Sequence, residues 1–196
     1  MKILAFTDIH ENKIKIDQII KKAKEVDLLI CCGDFTWFGN DTEGVISKIA
    51  KTKKPWILLY GNHESPKEVE KIAKKYDNVI FLDDELYTFG DFQFFAHGGG
   101  GFSYRDKVLE SKVKDLKKKL DKKKRLIFLT HAPPYGTKLD IMPFPGHVGC
   151  QSITKAILEL QPILYMCGHI HECEGNKDKI GKTLALNPGR GKVIII

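Results

Sequence analysis

Short and nearly continuous runs of apolar residues recur along the chain, at 2–7, 27–32, 55–60, 126–130 and 163–167. Strands that are covered by helices on both faces of a sheet have this composition, because both faces of each strand are buried. Between these runs, apolar residues recur with helical spacing at 13–25, 41–51, 66–75, 105–124 and 149–160. The repeated order of strand, loop and helix predicts an α/β fold with a mixed sheet system.

Two further regions carry shorter and more closely spaced patterns. Segments 78–82, 85–89 and 92–96 alternate between apolar and polar residues and lie close together, which predicts an antiparallel meander. Segments 183–186 and 192–196 flank an Asn-Pro-Gly turn and predict a final hairpin. Because no internal repeat or linker divides the chain, we expect one domain over residues 1–196.

One long irregular segment, 132–147, is rich in proline and glycine. Structureless loops of this length are uncommon inside compact domains and often line functional sites. We therefore favour a role at the site over a decorative surface loop.

Composition and charge restrict the class of protein. The chain of 196 residues is 42% hydrophobic and 29% charged, which is typical of a globular protein. No apolar stretch approaches the roughly 18 residues of a membrane span, and the run 1–7 is too short for the core of a signal peptide. We expect a soluble, cytoplasmic protein with no membrane partner.

The net charge of +7 attracts anions such as phosphates, nucleotides or nucleic acid. The densest run of basic residues in the chain is 112–125. It overlaps a set of apolar residues at helical spacing, namely Leu109, Val113, Leu116 and Leu120. This spacing favours the solvated face of an amphipathic helix over a patch that binds nucleic acid.

The five cysteines do not form a disulfide pattern, since their number is odd and Cys31 and Cys32 are adjacent. Cys167 and Cys173 bracket two histidines, but this spacing is too tight for the usual structural zinc sites. We interpret the cysteines as packing residues.

Polar residues able to bind metals follow the carboxyl ends of five predicted strands. They are Asp8 and His10, then Asp34, then Asn62, His63 and Glu64, then His131, and finally His169 and His171. Ligands of open α/β sheets gather at the carboxyl ends of the strands, so these segments can converge. In an extended chain, the pairs at i and i+2 would also point to the same side.

Two divalent cations about 3.5–4 Å apart need nitrogen and oxygen ligands and a carboxylate that can bridge them. Asp34 is the natural bridge, and Asn62 can offer a neutral carbonyl oxygen. A structural role would be the better interpretation for any one of these histidines alone. For all five segments together, a two-metal site that acts on phosphorus is the better interpretation.

The ordered motifs D-x-H, G-D, G-N-H-E, T-H-A-P-P and G-H-I-H resemble those of the calcineurin-like metallophosphoesterase superfamily. They run from Asp8 to His171, and the resemblance implies a four-layer αββα sandwich of two mixed sheets between helices. It further implies one metal ion held by Asp8, His10, Asp34 and His171, and a second held by Asp34, Asn62, His131 and His169. His63 would act as a general acid or stabilise the transition state, with Glu64 to orient it.

Within the superfamily, the motifs look most like those of small stand-alone phosphodiesterases, among them the class III cyclic-nucleotide type. This resemblance implies hydrolysis of small phosphodiesters, nucleotide-derived ones included, by a metal-activated hydroxide. The expected cofactors are two divalent transition-metal ions, with Mn²⁺ first and Fe, Zn²⁺, Ni²⁺ or Co²⁺ as alternatives. The alternative functions are a nuclease acting on DNA or RNA and a non-catalytic metal-binding interaction module.

Four weaker signals leave their alternatives open. His97 precedes a run of four glycines that could cradle a phosphate or form a flexible turn. His147 could contact substrate or lie idle on the surface, and Arg190 could grip a phosphate. Trp37 and Phe38 could stack on a base, but we expect core packing.

Overall fold

The computed structural model describes residues 1–196 and contains eleven strands, five α-helices and one 3₁₀ turn. The strands are β1 (Lys2–Phe6), β2 (Leu28–Cys32), β3 (Trp56–Leu59), β4 (Val79–Phe81), β5 (Leu86–Phe89), β6 (Phe92–His97), β7 (Arg125–Thr130), β8 (Leu164–Met166), β9 (Lys177–Ile180), β10 (Thr183–Leu186) and β11 (Lys192–Ile195). The helices are α1 (Lys13–Ala23), α2 (Thr42–Ala50), α3 (Pro66–Ala73), α4 (Lys107–Lys119) and α5 (Gln151–Leu160), and the 3₁₀ turn covers His171–Cys173.

The strands form two sheets. The first has the order β11-β1-β2-β3-β4, and the second has the order β5-β6-β7-β8-β10-β9. In the first sheet, β1 to β4 are parallel and only β11 runs antiparallel, at the edge. In the second sheet, β6, β7, β8 and β10 are parallel, and the edge strands β5 and β9 are antiparallel to them. Both sheets are therefore mixed, as expected.

Three buried apolar layers join the helices and sheets. Helices α1, α2 and α3 pack on one face of the first sheet. The opposite face of the first sheet packs against the second sheet. Helices α4 and α5 cover the outer face of the second sheet. The order of helix, sheet, sheet and helix confirms the four-layer αββα sandwich.

The run of apolar residues in β1 follows from this layering. Leu4 and Phe6 lie in the helix-facing layer, whereas Ile3 and Ala5 lie between the sheets. Successive side chains of a strand point to opposite faces, so a strand buried on both faces has no polar positions.

The lysine-rich helix α4 has the solvated face that the sequence predicts. Its Asp106 cap accepts a 2.9 Å hydrogen bond from the Leu109 N–H, and Leu109, Val113 and Leu116 are buried. Lys117 pairs with Glu159 on α5 at 3.4 Å. Across the whole molecule, no helix combines the length and the apolar character needed to cross a membrane.

Two strand pairings predicted from the sequence are wrong. The meander does not form, because β4 joins the first sheet beside β3, whereas β5 and β6 pair in the second. The final hairpin does not form either, because β10 and β11 lie in different sheets. Alternation within a strand shows that one face is buried, but it does not show which sheet buries it.

Strand β9 is absent from the sequence prediction. It carries two lysines and an aspartate over Lys177–Ile180 and pairs with β10 as an edge strand. Charged residues are common on edge strands, where they discourage further pairing, and they hide the apolar pattern of a strand.

Candidate metal centre

The carboxyl ends of strands from both sheets meet at one place. The loops after β1, β2 and β3 come from the first sheet, and those after β7 and β8 come from the second. These loops bring together all eight predicted ligand and catalytic residues, namely Asp8, His10, Asp34, Asn62, His63, His131, His169 and His171. The convergence predicted from the strand ends is present.

The loop after β1 is not extended, so the backbone assumed for the i, i+2 pair Asp8 and His10 is wrong, although their donor atoms do lie in one group. Both residues have left-handed backbones, with φ of 51° and 43°. The Asp8 N–H donates to the Gly33 carbonyl at 3.1 Å, and the His10 N–H donates to the Asp34 carbonyl at 3.2 Å. These bonds join the loops after β1 and β2 and hold a conformation that is strained for non-glycine residues.

Glu64 joins the loops after β2 and β3. Its buried carboxylate accepts hydrogen bonds from the N–H groups of Gly61, Asp34 and Thr36 at 2.8–3.0 Å, and from the Thr36 hydroxyl at 2.7 Å. Burial raises its pKa despite these bonds. The expectation that Glu64 orients the His63 side chain is not met, since none of its hydrogen bonds reaches that imidazole.

The close contact between these loops requires glycine at position 33. Its φ is +92°, and a Cβ there would lie 2.6 Å from the Gly61 nitrogen and 2.8 Å from Nδ1 of His131. Any side chain at Gly33 would push apart the loops that carry Asp34 and His131.

The donor atoms of the site fall into overlapping clusters. Asp8, His10 and His171 offer donor atoms within 4.8 Å of one another, and Asp34, His131 and His169 form a second such group. Asp34 also groups with His10 and His63 within the same limit. Its carboxylate therefore lies between the two groups, where a ligand shared by two ions would lie.

Backbone carbonyls fix the tautomers of two histidines. Nδ1 of His10 lies 3.0 Å from the Thr36 carbonyl, and Nδ1 of His131 lies 2.8 Å from the Cys32 carbonyl. A carbonyl only accepts hydrogen bonds, so each Nδ1 carries the proton and the Nε2 lone pair of a neutral ring faces the centre. This second hydrogen bond is typical of histidines that bind metals.

Not every nitrogen atom that faces the centre has a partner within the protein. The Nε2 atoms of His10 and His171 lie 3.1 Å apart and form a hydrogen bond when one of them carries a proton. Nε2 of His169 is buried without any hydrogen-bond partner. Burial, together with the nearby His131, lowers the pKa of His169 to about 4, so its lone pair is free at neutral pH. These residues fit divalent cations that accept imidazole and carboxylate ligands.

His131 differs from His169 in its charge. Burial would lower its pKa, but the Asp34 carboxylate at 3.3 Å outweighs burial and raises the pKa to about 9. Its Nε2 also lies 3.0 Å from Oδ1 of Asn62. Asp34 therefore favours the protonated form of His131, which would have to release its Nε2 proton to bind a cation.

The two sheets are tied together beneath the site. Both carboxylate oxygens of Asp8 accept from the His169 N–H, at 3.0 and 3.2 Å. The Thr7 N–H donates to the Gly189 carbonyl at 2.8 Å, so the Asn-Pro-Gly turn supports the loop after β1. The turn at Gly189 lies between β10 and β11, which belong to different sheets instead of forming the predicted hairpin. Through Thr7, this segment supports the residue that precedes Asp8.

His63 has a different hydrogen-bond pattern from the candidate ligands. Its Nδ1 accepts a 3.3 Å hydrogen bond from the Phe38 N–H, so a neutral His63 carries its proton on Nε2. That Nε2 lies 3.7 Å from Oδ2 of Asp34. His63 therefore presents a proton, rather than a lone pair, toward the shared carboxylate.

We expected Trp37 and Phe38 to pack in the core, and this expectation is wrong. Their exposed fractions are 46% and 76%, and their rings stack on His10 and His63. Phe102 is also exposed and contacts His169. The sequence signal for Trp37 and Phe38 was their position shortly after Asp34, whereas Phe102 follows the glycine run and had no recognisable signal.

His97, His147 and Arg190, which carried weaker sequence signals, pair with carboxylates outside the candidate metal centre. His97 lies 2.6 Å from Asp84 and 2.9 Å from Asp106. His147 pairs with the buried Asp140 at 2.8 Å within the irregular segment, and Arg190 lies 3.5 Å from Glu174. All five cysteines are free and buried, in agreement with their interpretation as packing residues.

The chain is similar in sequence to a known family and to a protein of an archaeon. The family model described as calcineurin-like phosphoesterase matches residues 1–173. An uncharacterised protein of Methanocaldococcus jannaschii is 31% identical over 96% of this chain and 88% of its own length.

Solved structures show the same fold. The protein TT1561 of Thermus thermophilus gives a TM-score of 0.76 at 17% identity, covering 96% of this chain and 88% of that one. A dimetal phosphatase from Danio rerio gives a TM-score of 0.63 at 12% identity, and the match covers 95% of this chain and 86% of that one. With the family model matching from the first residue to beyond His171, the chain belongs to the calcineurin-like phosphoesterase family.

Proposed function

We propose that residues 1–196 form one metallophosphoesterase domain that holds two divalent metal ions and hydrolyses phosphodiesters. The observation that carries this proposal is the position of the Asp34 carboxylate between two groups of donor atoms. Family membership supports phosphoester hydrolysis in general, and the dimetal phosphatase with the same fold is consistent with two ions.

The donors divide into two sets that share Asp34. Asp8, His10, Asp34 and His171 would hold one ion, and Asp34, Asn62, His131 and His169 would hold the other. Two cations at such a site lower the pKa of water and neutralise the charge that develops on phosphorus in an in-line displacement. Imidazole and carboxylate ligands suit Mn²⁺, Fe, Zn²⁺, Ni²⁺ and Co²⁺, and we place Mn²⁺ first.

His63 would donate a proton to the leaving oxygen. The Phe38 N–H on Nδ1 keeps the proton of neutral His63 on Nε2, the atom that faces the shared carboxylate. A positioned general acid contributes about 10²–10⁴-fold in rate. The role of His63 is therefore proton transfer rather than metal binding.

The exposure of the site supports a diester substrate. The side chain of His171 is 43% exposed, so this part of the centre opens to solvent. A diester carries a second organic group on phosphorus and needs such open space. The net charge of +7 favours the approach of the anion.

Hydrolysis by reconstituted protein tests the proposal. Protein loaded with Mn²⁺ should hydrolyse bis-p-nitrophenyl phosphate faster than p-nitrophenyl phosphate, and a chelator should abolish both activities. Asp34→Asn should lose activity, whereas Asp17→Asn, an exposed change on α1, should keep it. Absence of hydrolysis with every one of the five metals would overturn the proposal, and a preference for the monoester would overturn its diester part.

A further inference from the structure

Two exposed aromatic residues stand beside the histidines of the candidate site. The ring of Trp37 stacks on His10 with centroids 4.1 Å apart, and the ring of Phe38 stacks on His63 at 4.2 Å. The ring centroids of Trp37 and Phe38 are 6.2 Å apart. Each ring has one face against a site histidine and leaves much of its surface to solvent.

Burial does not explain the conformation of Phe38. Its side chain is 76% exposed, so it contributes little to the core. Its backbone has a φ of +49°, which is strained for a bulky residue. An exposed apolar side chain held in a strained conformation indicates a function outside the core.

The segment that carries the two rings is fixed in place. The Trp37 N–H donates to Oε1 of Glu11 at 3.0 Å, and the Asp41 N–H donates to the same atom at 3.2 Å. The Phe38 N–H donates to His63, as described above, and the Gly39 N–H donates to the Thr36 hydroxyl at 3.2 Å. The rings are therefore arranged before any ligand arrives, which reduces the entropy lost on binding.

We propose that Trp37 and Phe38 form a subsite that stacks against a planar ring in the leaving group of the substrate. This inference rests on the proposed function, because it takes His63 as the residue that protonates the leaving oxygen. A leaving group within reach of Nε2 of His63 lies next to the ring of Phe38. The substrate class is then phosphoesters of aryl or heterocyclic ring-bearing alcohols, with plain alkyl esters disfavoured.

The test compares two inhibitors that differ only in the ring, the methyl monoesters of benzylphosphonate and ethylphosphonate. In both, a methylene group replaces the ester oxygen of the leaving group. Stacking on one aromatic side chain changes affinity by roughly 5- to 150-fold. We expect Trp37→Leu and Phe38→Leu to weaken the benzyl compound by about this factor and to leave the ethyl compound unchanged.

A matched control is Tyr104→Leu. Tyr104 is also exposed, but its ring contacts Tyr135 rather than a site histidine. It should leave the affinity of both compounds unchanged. Melting temperature and bound metal measured for each variant separate loss of the ring from loss of structure.

Tryptophan fluorescence gives a second measurement that does not depend on activity. The chain has two tryptophans, of which Trp56 is fully buried and Trp37 is exposed. The benzyl compound should quench the wild-type signal, and Trp37→Leu should remove the quenching. Equal weakening of both compounds in the variants, or no weakening of either, would overturn the subsite.

The outcomes for the subsite and for the proposed function are distinguishable. If loaded protein hydrolyses no ester yet still prefers the benzyl compound through Trp37 and Phe38, hydrolysis fails and ring binding stands. If it hydrolyses phosphodiesters but the variants treat both compounds alike, hydrolysis stands and the subsite is wrong.

Discussion

The carboxylate of Asp34 lies 3.3 Å from Nε2 of His131 and belongs at the same time to the group that contains His10. In the proposed assignment, the Asp34 carboxylate would serve both ions, whereas His10 would serve only one. This difference makes the number of bound ions a sharp test of the site.

We expect about two transition-metal ions per reconstituted chain, because the donors exceed what one ion needs. Asp34→Asn should reduce the occupancy of both ions, and His10→Ala should reduce mainly one. Elemental analysis of the dialysed proteins measures this directly. At most one ion in the wild type, or equal loss of both ions in His10→Ala, would contradict the assignment.

The proton on Nε2 of His63 leads to a second expectation. His63→Ala should keep both metals while kcat falls by about 10²–10⁴-fold on an ester with a poor leaving group. The loss should shrink for p-nitrophenyl esters, because p-nitrophenolate leaves with little need for protonation. Loss of metal in this variant would instead make His63 a ligand, and an unchanged rate on the poor leaving group would remove its role as an acid.

Glu64 provides a test of the loop architecture beneath the site. Each carboxylate oxygen of Glu64 accepts two hydrogen bonds. Glu64→Gln replaces one of these oxygens with an N–H₂ group and leaves at least one buried N–H donor unpaired. A buried donor without a partner costs about 1–3 kcal/mol, so the free energy of unfolding should fall by about this amount.

Urea unfolding of the metal-free protein measures this change. The control is Glu70→Gln, which removes only an exposed i,i+4 pair with Lys74. It should change the free energy of unfolding by less than about 0.5 kcal/mol. If the two substitutions have equal effects, Glu64 does not join the loops in solution.

The sequence predicted the convergence of the strand-end side chains better than it predicted the pairing of the strands. Alternation of strands and helices predicts parallel strands, and parallel strands place His131 and His169 at the same edge. The pairing of β4 and β11 depends on contacts distant in sequence, and alternation within these strands does not contain that information.

The sequence pattern also could not predict the local backbone conformation or the exposure of individual site residues. The left-handed backbones of Asp8 and His10 arise from hydrogen bonds to the loop after β2. The exposure of Trp37 and Phe38 arises because Glu11 and His63 hold their backbone outside the core. A pattern of hydrophobic residues treats such aromatics as core, since most large aromatic side chains are buried.

His97 gives the pH dependence of stability that the structure predicts. Its imidazole lies between Asp84 at 2.6 Å and Asp106 at 2.9 Å, with Lys112 3.4 Å from Asp84. Burial opposes protonation, but the two carboxylates outweigh it and raise the pKa of His97. A raised folded-state pKa means that His97 stabilises the fold fully below its unfolded pKa of about 6.5 and loses this contribution as pH rises through the folded value.

We therefore expect His97→Gln to lower the free energy of unfolding most at about pH 6 and progressively less toward pH 9. The pKa of Asp84 is lowered by His97 and Lys112, and that of Asp106 by the Leu109 N–H and His97. Lys112 and the Leu109 N–H remain in the variant, and an aspartate ordinarily titrates at about pH 3.9, well below this range, so neither carboxylate contributes to the change. Urea unfolding of wild type and variant, both metal-free, measures the difference at each pH, and the histidines of the metal centre cancel because both proteins contain them. A difference that is constant with pH, or that grows as pH rises, would show that His97 is not held as a cation between the two carboxylates.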